Sequence, residues 1–385
     1  MNGDVSAEHF DKMDAKVVKG IAIFFMLAHH VWAFPTRTPI EYPIIAPIIP
    51  IAFNGREFFL AIGTFGKLCV SLYLFLGGYA YYKQFSEGQK YFLEKRIKSL
   101  YLKFWRIFFI FIPIAFCFFS EQIPYAQEEL HNRYEQFKLN TFILNLLGFS
   151  CSYNAEWWFL PTYVMALLFG TVYICWLNRK KDKNPYVEFL EIVFLIIFFC
   201  EVTPALVSID CFSSLKDDFL FRKFVIWDYY IGVFFMGILI ARHNWAVEVM
   251  NYIRKKYHVV GQVFISFADM VFIFYLRSFH FAGYFDILYA PLFSIFALLI
   301  LKLLKPLYHF FAFFGKHSAN MWFIHSFYCY YFYKVVKIVY CSQNAIIDFL
   351  VLLCMSLFSS ICVEWIYKYI GNGVKMLFFK KVKDS

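Results

Sequence analysis

Apolar stretches of helix length, separated by short charged bursts, run along almost the whole chain. A stretch of about 18–25 apolar residues can cross a hydrocarbon layer about 30 Å thick as a helix. Ten such spans are predicted, over residues 15–34, 58–82, 101–119, 157–177, 187–209, 224–241, 258–276, 284–304, 318–333 and 345–369. The shorter run 142–149 is predicted to be interfacial or re-entrant. Helices follow from the solvent, because every backbone polar group within lipid needs a partner in its own segment. None of the runs alternates with the two-residue period of a membrane barrel strand. The predicted fold class is therefore all-α, a polytopic transmembrane helical bundle of about ten spans.

Orientation is read from Lys and Arg, which accumulate on the cytoplasmic side of spans. With the N-terminus placed inside, the cytoplasmic segments hold 25 of the 37 Lys and Arg, and the outer segments about ten. Both termini are thus predicted to be cytoplasmic. Residues 1–14 form a head, 15–370 a membrane domain and 371–385 a basic tail. The loop 35–57 carries five of the twelve prolines and is predicted to be an extended strap, while the second long outer loop, 120–156, is mildly acidic.

Composition agrees with this pattern. Of 385 residues, 61% are hydrophobic and 17% charged, far from the roughly 45–50% and 25% of soluble domains. A water-soluble enzyme, a disordered chain and a disulfide scaffold are excluded. The net charge of +10 does not indicate nucleic acid, since the basic residues flank spans and form no patch of their own. The ten Cys lie mostly within apolar runs without metal-ligand spacing, so they are read as packing residues and no metal site is predicted. A mixed-charge head with no small-residue cleavage site after the first run does not predict a cleavable signal peptide.

Ionisable residues inside spans are unfavourable by about 2.5–3.5 kcal/mol each and commonly face a cavity. In the first span Lys19 and His30 are eleven residues apart, which puts them on one helical face about 16 Å apart along the axis. A neutral imidazole suits removal of a proton from a hydroxyl, and the cation suits an anionic handle. On spacing alone, interhelical hydrogen bonding with a snorkelling lysine is an equal reading. Ser318 and His325, seven residues apart, share another face, and Glu156 stands at the start of the fourth span.

Four segments in order resemble one family. They are Lys19-Gly20-Ile21-Ala22 followed by His30; Leu76-Gly77-Gly78-Tyr79 with the basic run 95–101; Glu156-Trp157-Trp158-Phe159-Leu160; and Gly315-Lys316-His317-Ser318 followed by Trp322 and His325. Over about residues 10–370 the chain resembles the acyltransferase-3 family of bacterial membrane acyltransferases. It departs in carrying Lys19 for the usual Arg, Ser99 where a second Arg stands, with Lys98 beside it, and Leu102 for a Pro. Read through this resemblance, Leu76–Tyr79 is a small-residue turn.

The resemblance implies transfer of an acyl group, commonly acetyl from acetyl-CoA, to a hydroxyl of an extracytoplasmic or lipid-linked glycan. It places the chain in the bacterial cell membrane, with envelope biosynthesis proteins as partners. Its implied assignments are His30 and Glu156 as catalytic residues, Lys19, Arg96 and Lys98 as coenzyme A ligands, and Trp157, Trp158, Ser318 and His325 around the cavity. Without the resemblance, residues 95–98 read as a plain positive flank. A secondary transporter or glycan exporter using the intramembrane charges is the alternative. Its expected repeated halves with matching broken helices are not seen in the sequence.

Overall fold

A computed structural model describes residues 10–39, 52–120, 133–180, 184–202, 204–205, 208–209, 229–279 and 282–383, with residues 53, 282 and 371–383 given by backbone alone. Prolines 43, 47 and 50, three acidic residues of the second outer loop (Glu121, Glu128, Glu129), Cys211 and Asp228 lie outside the described residues. The helices, in order, are α1 (Lys12–Trp32), α2 (Phe58–Gly66), α3 (Leu68–Ser86), α4 (Phe92–Phe118), α5 (Leu139–Leu146), α6 (Phe159–Arg179), α7 (Pro185–Ile197), α8 (Tyr230–Arg242), α9 (Trp245–Lys256), α10 (Val259–Leu276), α11 (Asp286–Leu303), α12 (Lys305–Ser326), α13 (Tyr333–Tyr340) and α14 (Ala345–Lys383). A two-residue strand pair, Ala52–Phe53 with Arg56–Glu57, closes on the Asn54-Gly55 turn before α2.

Helix α1 starts at a capping box. The Asp11 carboxylate accepts from the backbone N–H groups of Met13 (2.7 Å) and Asp14 (2.8 Å), and Asp14 accepts in return from that of Asp11 (3.1 Å), satisfying donors that no helical carbonyl reaches. The same Asp14 carboxylate lies 3.0 Å from Lys302 Nζ and accepts from the Tyr308 hydroxyl at 2.8 Å. The entry of α1 is thus tied to the junction of α11 and α12. Its flank against α12 is the most extensive helix pairing in the bundle. Gly20 faces the Phe311 carbonyl and Gly315 the Lys16 carbonyl so closely that a Cβ on either would overlap it. This is the small-residue packing by which helices associate in lipid, where apolar burial supplies no drive.

The Leu76–Tyr79 segment is not a turn. It continues inside α3, where Gly78 meets the Phe234 carbonyl of α8 and a Cβ would overlap it. Small residues there serve helix contact.

The second predicted span is a broken helix, interrupted at Lys67 between α2 and α3. Carbonyls freed at the break are taken up by Arg277, whose Nη1 donates to the Phe65 oxygen at 3.0 Å. Its Nε and Nη2 donate to the two oxygens of buried Asp286 at 2.8 and 3.0 Å, and Ser71 donates to the same carboxylate at 2.6 Å. A backbone break at membrane depth persists only where protein groups re-satisfy it.

Among the described residues, seven helices are long and apolar enough to cross a membrane, or eight if α8 and α9, bent by 63° at their junction, form one span. The expected count of ten is not confirmed among the described residues. In the 187–209 stretch, α7 is 13 residues long and gives way to a π-helical turn, Phe198–Val202. The 318–333 stretch is shifted: α12 begins at Lys305 and ends in a second π turn, Phe327–Tyr331. It carries Lys305, His309, Lys316 and His317 and is packed between α1 and α14, so it needs less apolar surface than a lipid-facing helix.

Several intramembrane charges find partners. Glu191 pairs with Lys180, Glu201 accepts from Tyr284 (2.9 Å), Glu364 lies 3.5 Å from His317, and Arg106 stands over the Tyr367 ring.

Candidate active site

Two cavities lie along α1. The first, of about 180 Å³, is walled by Lys19 of α1, Arg96 and Lys103 of α4, Lys316 and Ser318 of α12, and Tyr73 of α3. Its cations meet because α4 begins at Phe92, nine residues before the predicted span, so the basic run is helical. On that helix Arg96, Ser99, Leu100 and Lys103 share the face that lines the cavity. Lys98, two residues from Arg96 and so about 200° around the axis, is exposed and outside the lining. Arg96 Nε donates to Gln84 Oε1 at 2.7 Å, which fixes the guanidinium while other N–H donors remain. Ser318 donates to the Gly315 carbonyl at 2.9 Å.

The second cavity, of about 410 Å³, is at the other end of α1 and holds His29, His30, Arg37, Lys67, Glu156 and Trp158. The Tyr330 hydroxyl donates to the His30 carbonyl (2.9 Å) and lies 3.0 Å from His30 Nδ1. Its proton being committed to the carbonyl, the hydroxyl oxygen accepts from Nδ1–H, and the neutral ring keeps its lone pair on Nε2. That nitrogen is 3.7 Å from Glu156 Oε2. Two acceptors face each other there, an arrangement that a donor hydroxyl reaching both would complete.

Asn154 sets the position of Glu156. Its side-chain oxygen accepts from the Glu156 N–H at 3.0 Å, opening the 3-10 turn Ala155–Trp158, and its amide donates to Ser326 at 2.7 Å. Arg37 Nη1 donates to Glu156 Oε1 at 3.3 Å. Burial lowers the Arg37 pKa, but Tyr330 and Glu156 raise it and the net direction is upward, so the guanidinium is charged.

Trp322 lines both cavities. Its ring stacks on Phe159 (centroids 4.2 Å apart) and meets Tyr73 edge-on at 4.5 Å, forming an aromatic septum between the cationic end and the imidazole end.

The geometry therefore brings Lys19 and Arg96 together in one chamber, and His30, Glu156 and Trp158 in the other. Ser318 and His325, expected on one face, serve different ends of α12. Ser318 lines the cationic cavity, whereas the His325 ring is 4.7 Å from that of His30 and lies 2.6 Å through Nδ1 from the Trp322 carbonyl. Trp157 is buried with its indole donating to the Phe323 carbonyl at 3.0 Å, outside both linings.

The family model described as an acyltransferase domain, that of acyltransferase-3, matches residues 14–365. The chain belongs to the acyltransferase-3 family. No curated protein and no solved structure matches it. It is a multi-pass membrane acyltransferase, and the acyltransferase-3 domain takes in both cavities.

Sequence reasoning missed Lys103, Tyr330, Asn154 and Arg37. Lys103 was recoverable from its spacing to Arg96 once the helix is extended back to Phe92. Tyr330 sits in a π turn 300 residues from His30, and no local signal marks that contact.

Proposed function

We propose that this acyltransferase-3 protein moves an acetyl group from cytoplasmic acetyl-CoA to a hydroxyl of a glycan or lipid-linked sugar on the far side of the membrane. Lys19, Arg96, Lys103 and Lys316 offer charge-assisted hydrogen bonds to coenzyme A phosphates. The thioester arm passes the Trp322 septum toward His30. There His30 Nε2 takes the proton of the acceptor hydroxyl as its oxygen bonds to the thioester carbonyl carbon. The carbon–sulfur bond then breaks, and the departing thiolate recovers that proton from His30, leaving an ester and free coenzyme A. Glu156 orients the hydroxyl and favours the transient imidazolium.

One observation carries this reading: a cavity of four cations and a cavity holding an imidazole with an available lone pair stand at opposite ends of α1 and share Trp322 in their walls. The test compares O-acetylation of surface polysaccharide, by proton NMR, among cells carrying the intact chain, no chain, and His30→Ala. Loss in the last two, with His30→Ala still accumulating in the membrane, is expected. Unchanged acetylation in His30→Ala removes the imidazole from the reaction. On the donor side Arg96→Ala should raise the acetyl-CoA concentration required, and an unaltered requirement would reduce that run to a topology signal.

A further inference from the structure

We propose that the acceptor is an anionic sugar, one bearing a carboxylate or a phosphate, and that Lys67 selects it. This deepens the acyl-transfer reading of the His30 cavity and rests on it. Lys67 lies at the one-residue interruption between α2 and α3, inside an otherwise apolar span, where a lysine is unfavourable by about 2.5–3.5 kcal/mol unless it reaches water or an anion. Its ammonium takes no part in mending the break it occupies: the Phe65 carbonyl accepts from Arg277, and the Thr64 carbonyl accepts from the Lys67 backbone N–H and from Arg277. Its side chain is exposed, lines the His30 cavity, and has no ion-pair or hydrogen-bonding partner among the described residues.

The other charges on that wall are mutually committed. Arg37 and Glu156 are paired at 3.3 Å. His29 Nδ1 lies 2.8 Å from the Gly63 carbonyl and is satisfied there as a donor, while His30 Nδ1 is held by Tyr330. The described wall therefore carries one surplus positive charge. Phe34, Trp158 and Tyr230 supply apolar and aromatic faces for a sugar ring.

A neutral sugar filling this space would offer the ammonium hydroxyl oxygens as acceptors in place of water but would leave its charge uncompensated. A carboxylate or phosphate would replace that water with a charge-assisted bond. The selected feature is the negative charge, whether it sits on an acidic residue of the glycan or on a phosphate linking sugar to lipid.

The test measures binding without acetyl-CoA, by titration calorimetry on the purified full-length protein in nanodiscs. The probes are methyl glucuronide, methyl glucoside and glucose 1-phosphate. At least one charged probe should bind about tenfold or more tightly than the neutral one, a difference of about 1.4 kcal/mol. Lys67→Gln should abolish that preference and Lys67→Arg should keep it. Preference for the phosphate over the glucuronide assigns the charge to a phosphosugar, and the reverse to an acidic glycan. Equal binding of all three probes, no binding of either charged probe at about 10 mM, or a preference that survives Lys67→Gln would overturn the proposal. Should Lys67-dependent anion binding stand while acetyl passes to no acceptor, the acyl-transfer reading has failed, and with it the role of the anion as acceptor, while Lys67 stays the anion-selecting residue of the cavity.

Discussion

Tyr330 decides which nitrogen of His30 carries a proton. A phenolic oxygen that donates to the His30 carbonyl is left only to accept from Nδ1–H, so the reactive lone pair is directed toward Glu156. In Tyr330→Phe the ring volume remains but the acceptor is gone, and the imidazole is free to take the wrong tautomer. Because general-base catalysis is worth about 10²–10⁴ in rate, turnover should fall by about 10²-fold with little change in the acetyl-CoA concentration at half-saturation. A shift confined to that concentration would instead place Tyr330 with the donor. None of this is readable from the chain. Lys19 and His30 are found by counting, since one helix sets their separation. The partner of His30 lies 300 residues away in a π turn, where the helical count slips by one. Lys98 misleads for a related reason: next to the position where the family has an Arg, it is nevertheless rotated off the cavity face.

Helix pairing puts these residues in register. The Gly20–Phe311 and Gly315–Lys16 approaches bring α1 against α12 at backbone distance, and the cavities at either end of α1 depend on that fit. Gly315→Leu forces the two helices apart. Overpacking commonly destabilises by about 1–3 kcal/mol, and here the obstruction is a rigid carbonyl. A lowered thermal midpoint in detergent, together with loss of transfer, is expected. Unchanged stability would mean that the helices do not pack this way. The apolar pattern foretells the existence of these helices well, because the bilayer dictates their length. It counts spans less well where a helix is short or shielded by its neighbours, as α7 and α12 are.

Taken together, the helices form two chambers that share Trp322 as a wall. In the proposed reaction, a ring stacked on Phe159 and abutting Tyr73 would keep water of the imidazole chamber away from a thioester held on the cationic side. Trp322→Ala should merge the chambers. The expected result in proteoliposomes is faster hydrolysis of acetyl-CoA without acceptor and a smaller fraction of acetyl reaching sugar. Hydrolysis and transfer that decline in proportion would show that the indole merely supports the fold.

The union of α1 with α12 also bears on how the protein is made. Its two halves leave the ribosome nearly 300 residues apart, the capping carboxylate Asp14 waiting for Lys302 and Tyr308, and His30 for Tyr330. A nascent chain that has emerged as far as α11 already contains the imidazole, yet it has neither the septum nor the tautomer lock. Chemistry begins only when the last quarter of the polypeptide arrives, so a ribosome stalled before that point releases an inert membrane protein and not a leaky hydrolase.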